Sequence, residues 1–99
     1  MTDRVFDALG DPTRRRLLEH LGSTGPESAS ELAAEFPMSR QAIAKHLGHL
    51  EDAGLVGRRR NGRSVEYHVV SSGLAEIADW SRRVGDEWSE RLRRLEGRS

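Results

Sequence analysis

SRQAIAKHLGHLEDAGLV, residues 39–56, is the stretch on which the reading of the whole chain turns. Its apolar residues recur at helical spacing: with Ile43 at zero and about 100° per residue, Leu47 and Leu50 fall within about 40° of it. Ser39 stands where an N-cap belongs, and Gly54 stands where a helix ends in a left-handed residue. A helix is therefore expected from the Ser39 cap to about Ala53. Its far side is unlike a solvated surface. Gln41, Lys45 and Gly48 cluster within about 60° of one another, offering an amide, a cation and bare backbone where solvated helices mix both charges. Such a face is suited to being pressed against a partner.

Composition narrows what that partner can be. The 99 residues have the length of one domain, able to bury roughly 65% of its extended-chain surface, so a single domain over residues 1–99 is expected. Charged residues make up 32% of the chain, above the usual ~25%. The core of one copy should be thin, and a second copy would help to cover it. Cysteine is absent from the sequence, which excludes disulfides, zinc–thiolate sites and thiol catalysis. The opening MTDRVFDALGDP carries no signal-peptide core, and no stretch approaches the ~20 apolar residues of a membrane span. A cytoplasmic protein is expected.

The formal net charge of zero argues at first against a polyanionic partner, but the distribution reverses that impression. Residues 1–36 carry four basic and seven acidic side chains, residues 37–70 six and three, and residues 71–99 six and six. The middle block holds both the unusual helix and the run GRRRNGR. Local field, rather than net charge, governs the approach of a polyanion.

Working outward from residues 39–56, the chain reads as five helices and a hairpin. A short helix over residues 3–9 places Val5, Phe6 and Leu9 on one side and ends at Gly10. Asp11 caps a second helix with Pro12 at its first position, where the missing N–H costs nothing; Leu17, Leu18 and Leu21 form its buried side and Gly22 is expected to end it. STGPES is expected as a loop. Ser28 and Glu31 have the spacing of a capping box, opening a third helix that buries Leu32 and Phe36 and stops before Pro37. After the fourth helix, LVGRRR and RSVEYHVV flank Asn61-Gly62, the strongest short hairpin signal available, since both turn positions tolerate positive φ. From about Gly73 a last helix aligns Leu74, Ile77, Ala78, Ser81, Gly85, Trp88, Leu92 and Leu95 within roughly 100° on the wheel, with little domain left for it to cover.

Two helices joined by a short turn and followed by a basic hairpin have the layout of a winged helix-turn-helix. The segments ALGDPTRRRLLEHL, ASELAAEFPMSRQAIAKHLGHLEDAGLV and RRRNGRSVEYHV resemble successive parts of the ArsR/SmtB family of bacterial repressors. The tail DWSRRVGDEWSERLRRLE is similar to the SdpR-like autorepressor branch. The likeness spans nearly the whole chain. It implies a mainly α fold with a β-hairpin wing, in which the helix-turn-helix occupies about residues 28–53, the wing about 55–70 and a dimerisation helix about 73–96. It also implies a repressor that binds a palindromic operator as a homodimer, joined through its N- and C-terminal helices. In that arrangement the second helix of the motif reads base edges while flanking groups hold phosphates. Ser39, Arg40, Gln41 and Lys45 are then the expected contacts on the helix, with Gln41 suited to adenine and Lys45 to guanine. Arg58, Arg59, Arg60 and Arg63 are the expected contacts on the wing, although strand alternation forbids all four from pointing one way. Of Arg14, Arg15 and Arg16, adjacent on a helix, at most one or two could reach DNA. Val5, Phe6, Leu9, Leu74, Ile77, Trp88, Leu92 and Leu95 are the expected dimer surface.

Other function classes were weighed against this one. No G-x-S-x-G, phosphate-binding glycine loop or H-E-x-x-H occurs, so no enzyme is expected. A winged helix that docks a protein would expose aromatic or aliphatic anchors, and RQAIAKHLGHL shows none on its outward face. Where metal-sensing members of the family carry cysteines in the third helix, this chain has SELAAEF, and no histidine follows His68. His46 and His49 are expected as packing or hydrogen-bonding groups. No metal and no cofactor are therefore expected, and an unidentified ligand remains the alternative means of control.

Overall fold

The computed structural model describes residues 2–97, so Met1, Arg98 and Ser99, at the ends of the expected domain, lie outside the described residues. The elements are α1 (Thr2–Leu9), α2 (Pro12–Thr24), β1 (Glu27–Ser28), α3 (Ala29–Glu35), α4 (Arg40–Asp52), β2 (Val56–Asn61), β3 (Ser64–Val69) and α5 (Ser71–Glu96). The strands form an antiparallel sheet in the order β1-β3-β2. This is a winged helix-turn-helix, with α3 and α4 as the motif and β2–β3 as the wing.

Helix starts follow the local chemistry of the sequence. The Asp11 carboxylate accepts the backbone N–H of Thr13 at 2.7 Å and that of Arg14 at 3.3 Å, capping α2. Ser28 and Glu31 close the reciprocal capping box, with Ser28 Oγ accepting the Glu31 N–H at 3.1 Å and the Glu31 carboxylate accepting the Ser28 N–H at 2.9 Å. At the other end of α2 the helix passes through Gly22 and stops at Thr24. Gly25 takes the terminating role at φ 91°, its N–H bonded to Leu21 O at 2.9 Å. Gly22 stays within the helix, and beyond it the Thr24 hydroxyl donates to His20 O at 2.9 Å.

Two of the three arginines after Asp11 turn back onto the preceding helix. Arg14 donates from Nε to Ala8 O at 2.6 Å and from Nη2 to Asp7 O at 3.1 Å, and Arg15 Nη1 donates to Leu9 O. Two guanidinium groups thus satisfy the last carbonyls of α1, where cations also complement the helix dipole. The sequence D-P-T-R-R therefore caps one helix forward and the preceding helix backward.

The core is built from one face of each of the first four helices: Val5 and Ala8, then Leu17, Leu18 and Leu21, then Leu32, then Ile43, Leu47 and Leu50, closed by Leu55 and Val56 at the base of the wing. Val5, expected on the dimer surface, is instead wholly buried in this core. In a helix as short as α1 one side must serve the protomer itself, and Val5 lies at its centre. Phe36 is half-buried, its ring edge-on to His20 at 5.5 Å. From α5 only the first turns join the core, through Leu74 and Ile77. The helix then leaves the body, giving the molecule extents of 65 × 24 × 22 Å; a helix of this length spans about 39 Å.

The sheet differs from expectation in two places. Within the expected loop STGPES, Glu27 and Ser28 form a third strand paired with Tyr67 and Glu66 of β3. A two-residue strand has no periodicity to reveal it. The hairpin register pairs Asn61 with Ser64, so the two turn residues are Gly62 and Arg63 rather than Asn61 and Gly62. Only Gly62 has positive φ, at 65°. That is the pattern of a type II′ turn, in which glycine is needed at the first central position alone. Asn61 remains in the strand, and its side-chain amide donates to the Glu66 carboxylate at 3.3 Å.

The cap of α2 makes stability depend on pH. The Thr13 N–H foremost, and then the backbone and charge of Arg14, hold the Asp11 carboxyl below its usual 3.8. A depressed acid stabilises the fold fully above its unfolded-chain value and loses that contribution as pH falls through the folded value. Acidification below pH 3.8 should therefore weaken the wild type more than Asp11→Asn, which keeps a neutral cap. Urea unfolding midpoints of the two proteins, compared at neutral and acid pH, should diverge at neutral pH and converge in acid. A gap that does not change with pH would remove Asp11 from this role.

Candidate nucleic-acid interface

The orientation of α4 is set from below and from its start. Ile43, Leu47 and Leu50 are fully buried, and Ser39 Oγ accepts the Ala42 N–H at 3.1 Å. With that stripe inward, Arg40, Gln41, Ala44 and Lys45 are exposed on the outward side. A Cβ at Gly48 would meet nothing within 4 Å. Gly48 is therefore not a packing glycine; it leaves the middle of the outward face as open backbone. Ser39 is exposed at the head of this face, with its oxygen committed to the cap.

The register of the wing sorts its arginines. Arg58 lies opposite Tyr67 and Arg60 opposite Val65, whereas Arg59 lies opposite Glu66. Strand alternation puts Arg58 and Arg60 on the face shared with Val56, and Arg59 on the other. Arg63 occupies the turn. Arg58 Nε is 3.1 Å from Glu51 Oε2, tying the base of the wing to the end of α4. Both side chains are substantially exposed, so this pair contributes little to stability, but it occupies a cation that sequence reasoning had counted as free. Glu51 competes for Arg58 because the hairpin packs against the end of α4, a proximity that spacing along the chain does not show.

Between α4 and the wing lies a groove of about 550 Å³. Arg40, Arg58 and Arg63 line it together with Ser30, Ala44 and Tyr67, and no carboxylate does. Among the described residues Arg40, Lys45, Arg59, Arg60 and Arg63 have no carboxylate partner. Cations that share a concave surface with no counter-charge add their fields there. Ser30 and Tyr67 were not anticipated. Tyr67 stands opposite Arg58 only in the observed register, since a turn at Asn61-Gly62 would set Val65 there, and Ser30 lies in the first turn of α3, just after the strand that pairs with β3.

The histidines do not converge. His20 Nε2 is 2.7 Å from Glu27 Oε1, which also accepts the Thr24 hydroxyl at 2.6 Å, tying the end of α2 to β1. His46 is half-buried and His49 exposed on α4. His68 packs over Gly57, where a Cβ would stand 2.8 Å from its Nε2. Among the described residues no three groups of the His, Cys, Asp or Glu type are placed to hold a metal ion, and no helix is long and apolar enough to cross a membrane.

A second surface runs along α5. Phe6 and Trp80 meet edge-to-face, with ring centroids 4.8 Å apart. Beyond them Val84, Trp88, Leu92 and Leu95 are exposed. Leu9, Leu74 and Ile77, also expected on the dimer surface, are half-buried against the protomer's own core. Trp80 and Val84 were missed because the wheel was centred on Leu74, from which they lie about 120° and 80° round the helix. The stripe drifts across the helix as α5 leaves the core. Its polar side is laced by the pairs Asp79–Arg82 and Glu90–Arg93.

Comparison with known proteins bears on both surfaces. A family described as a helix-turn-helix domain matches residues 9–59, from the end of α1 through most of β2. The transcriptional repressor SdpR of Bacillus subtilis is 32% identical, over 79% of this chain and 86% of that protein. An ArsR-like transcriptional regulator from Rhodococcus sp. RHA1 superposes with a TM-score of 0.85 at 41% identity, covering 99% of this chain and 92% of that one. A homodimeric winged helix-turn-helix DNA-binding domain from Mycobacterium bovis superposes with a TM-score of 0.69 at 27% identity, covering 86% and 78%.

Proposed function

Because the chain belongs to the ArsR-like winged helix-turn-helix transcriptional regulators, we propose that it is a repressor that binds a palindromic operator as a homodimer and occludes a promoter. The observation that carries this reading is the groove between α4 and the wing, lined by three arginines and no carboxylate and continuous with the unpaired cations around it. A DNA major groove, about 12 Å wide, admits a helix with the outward face of α4. Gln41 then reads adenine and Lys45 reads guanine, with Ser39 and Arg40 at the flank. Open backbone at Gly48 lets the helix lie close to the bases. Arg59, Arg60 and Arg63 hold phosphates, while Arg58 must exchange Glu51 for a phosphate and contributes less.

The dimer is the second part of the proposal. The M. bovis relative is homodimeric, and this chain presents Phe6, Trp80, Val84, Trp88, Leu92 and Leu95 on one continuous exposed surface. Apolar surface of that extent on a small chain is a mark of association. A second copy covers it across a twofold axis, with Leu9, Leu74 and Ile77 at its edge, and the same axis makes the operator a palindrome. The protein acts by binding rather than catalysis, in the cytoplasm where its DNA is. Metals do not control it: a transition-metal site needs roughly four soft or nitrogen ligands, and the chain has neither thiolates nor converging histidines.

Readout by Gln41 has a distinct signature. Gln41→Ala should lose roughly 1 to 3 kcal/mol of discrimination at one symmetric pair of operator positions while leaving binding to random DNA nearly unchanged. Binding titrations against operator variants measure this, and equal losses on operator and random DNA would contradict the assignment.

Removal of the outer half of α5 tests the dimer. A chain ending at Asp79 keeps Leu74 and Ile77 against the core, but loses Trp80 and the rest of the exposed stripe beyond it. Sedimentation should show a monomer with native helical content. A stable dimer of the shortened chain would place the interface elsewhere.

A further inference from the structure

One contact in the molecule joins its two proposed working parts directly. Gly73 lies in the first turn of α5 and is buried there. A Cβ on it would stand 2.4 Å from the carbonyl oxygen of Gly54 and 3.1 Å from both Gly54 C and Leu55 Cδ2. Gly54 is the left-handed residue that ends α4, at φ 76°, with its N–H bonded to Glu51 O at 3.0 Å. The Leu55 N–H returns to Leu50 O at 2.9 Å, and Leu55 O in turn accepts the Val70 N–H at 2.9 Å, one residue before α5 begins. The end of α4 and the start of α5 therefore touch backbone against backbone. Hydrogen bonds lie on either side, and of the three nearest atoms two are Gly54 backbone and one is the Leu55 Cδ2 methyl.

Helix propensity does not account for Gly73, because alanine is the better helix former. Gly73 has negative φ, so left-handed geometry does not account for it either. Close approach does. We propose that the Gly54–Gly73 contact is the joint that sets the angle between α4 and α5, and that Gly73 determines the half-site spacing the dimer selects. This rests on the reading of the chain as a dimeric operator-binding protein joined through α5.

The magnitude is sufficient. Restoring ordinary contact after Gly73→Ala requires the two backbones to part by about 1 Å, since well-packed atoms sit about 3.5 Å apart. The displaced end of α5 pivots on the turns held by Leu74 and Ile77, and the shift grows along a helix about 39 Å long. Twofold symmetry doubles it. Lever and doubling together move the recognition helices relative to each other by a few ångströms, the scale of the rise of one base pair when about 10 to 10.5 pairs span about 34 to 36 Å. Base identity, read by α4 itself, is untouched.

The test uses DNA selected from a random-sequence pool by the wild-type full chain. From it are built one single half-site duplex and a series in which the two half-sites are moved apart or together in single base-pair steps. Gly73→Ala should remain dimeric by sedimentation and bind the single half-site within about twofold of wild type. At the wild-type spacing it should bind tenfold or more weakly, and its optimum should move by one base pair. Superposable spacing profiles would overturn the joint while leaving the operator-binding reading intact. A wild type that selects no paired half-sites would overturn both. Should Gly73→Ala not fold, Leu55→Val withdraws the Cδ2 methyl from the same contact, shortening the side chain by one carbon. Its spacing profile should broaden, and an unchanged width would overturn the proposal.

Discussion

The burial of Ile43, Leu47 and Leu50 against α2, α3 and α1 is the constraint on which the rest of this structure depends. With those three side chains inward, the rotation of α4 about its axis is no longer free, and every outward residue follows from it. Arg40, Gln41, Ala44, Lys45 and the bare backbone at Gly48 occupy one exposed side because no other placement keeps the stripe dry. The site has no independent scaffold; it is the back of the core. Stability and recognition are therefore coupled through a single helix. A polar residue at position 47 would disorder the reading surface as surely as it would open the interior.

Electrostatics follows the same geometry. The chain is neutral overall, yet its cations are not equivalent. Arg14 and Arg15 are consumed in satisfying the carbonyls of α1, and Arg82 and Arg93 are paired along α5. Arg58 is held by Glu51. Among the described residues of α4 and the wing, Arg40, Lys45, Arg59, Arg60 and Arg63 have no carboxylate partner, and residues 37–70 hold six basic side chains against three acidic ones. A neutral protein can thus carry a basic face without a basic composition, because most of its acids lie outside that block.

Much of this was legible in the sequence. Capping chemistry announced α2, α3 and α4 to within a residue at their starts, and periodicity announced the buried face of each. Other features required the third dimension. β1 escaped because two residues carry no alternation, and its existence depends on Tyr67 and Glu66 arriving beside it. The turn slipped by one residue because Asn61 and Gly62 are both permissive, and only the cross-strand pairing of Asn61 with Ser64 chooses between them. Val5 was assigned outward because a wheel drawn for an eight-residue helix shows an apolar side but not which body it faces. The division of labour among the arginines is hidden for a like reason, since Arg14, Arg15 and Arg58 find their partners six or seven residues back, across a turn whose geometry the sequence does not show.

The central claim is that the α4–wing surface binds the DNA backbone and reads bases between its phosphates. Its most direct test is the affinity of the intact protein for a DNA fragment from its own promoter and for random DNA, measured as salt is raised. Each phosphate neutralised contributes about 0.9 to the slope of log affinity against log salt. Several unpaired cations per subunit should give a steep slope on both DNAs, with a promoter preference that persists as salt rises. An affinity indifferent to salt, or equal for the two DNAs at every salt concentration, would contradict the account.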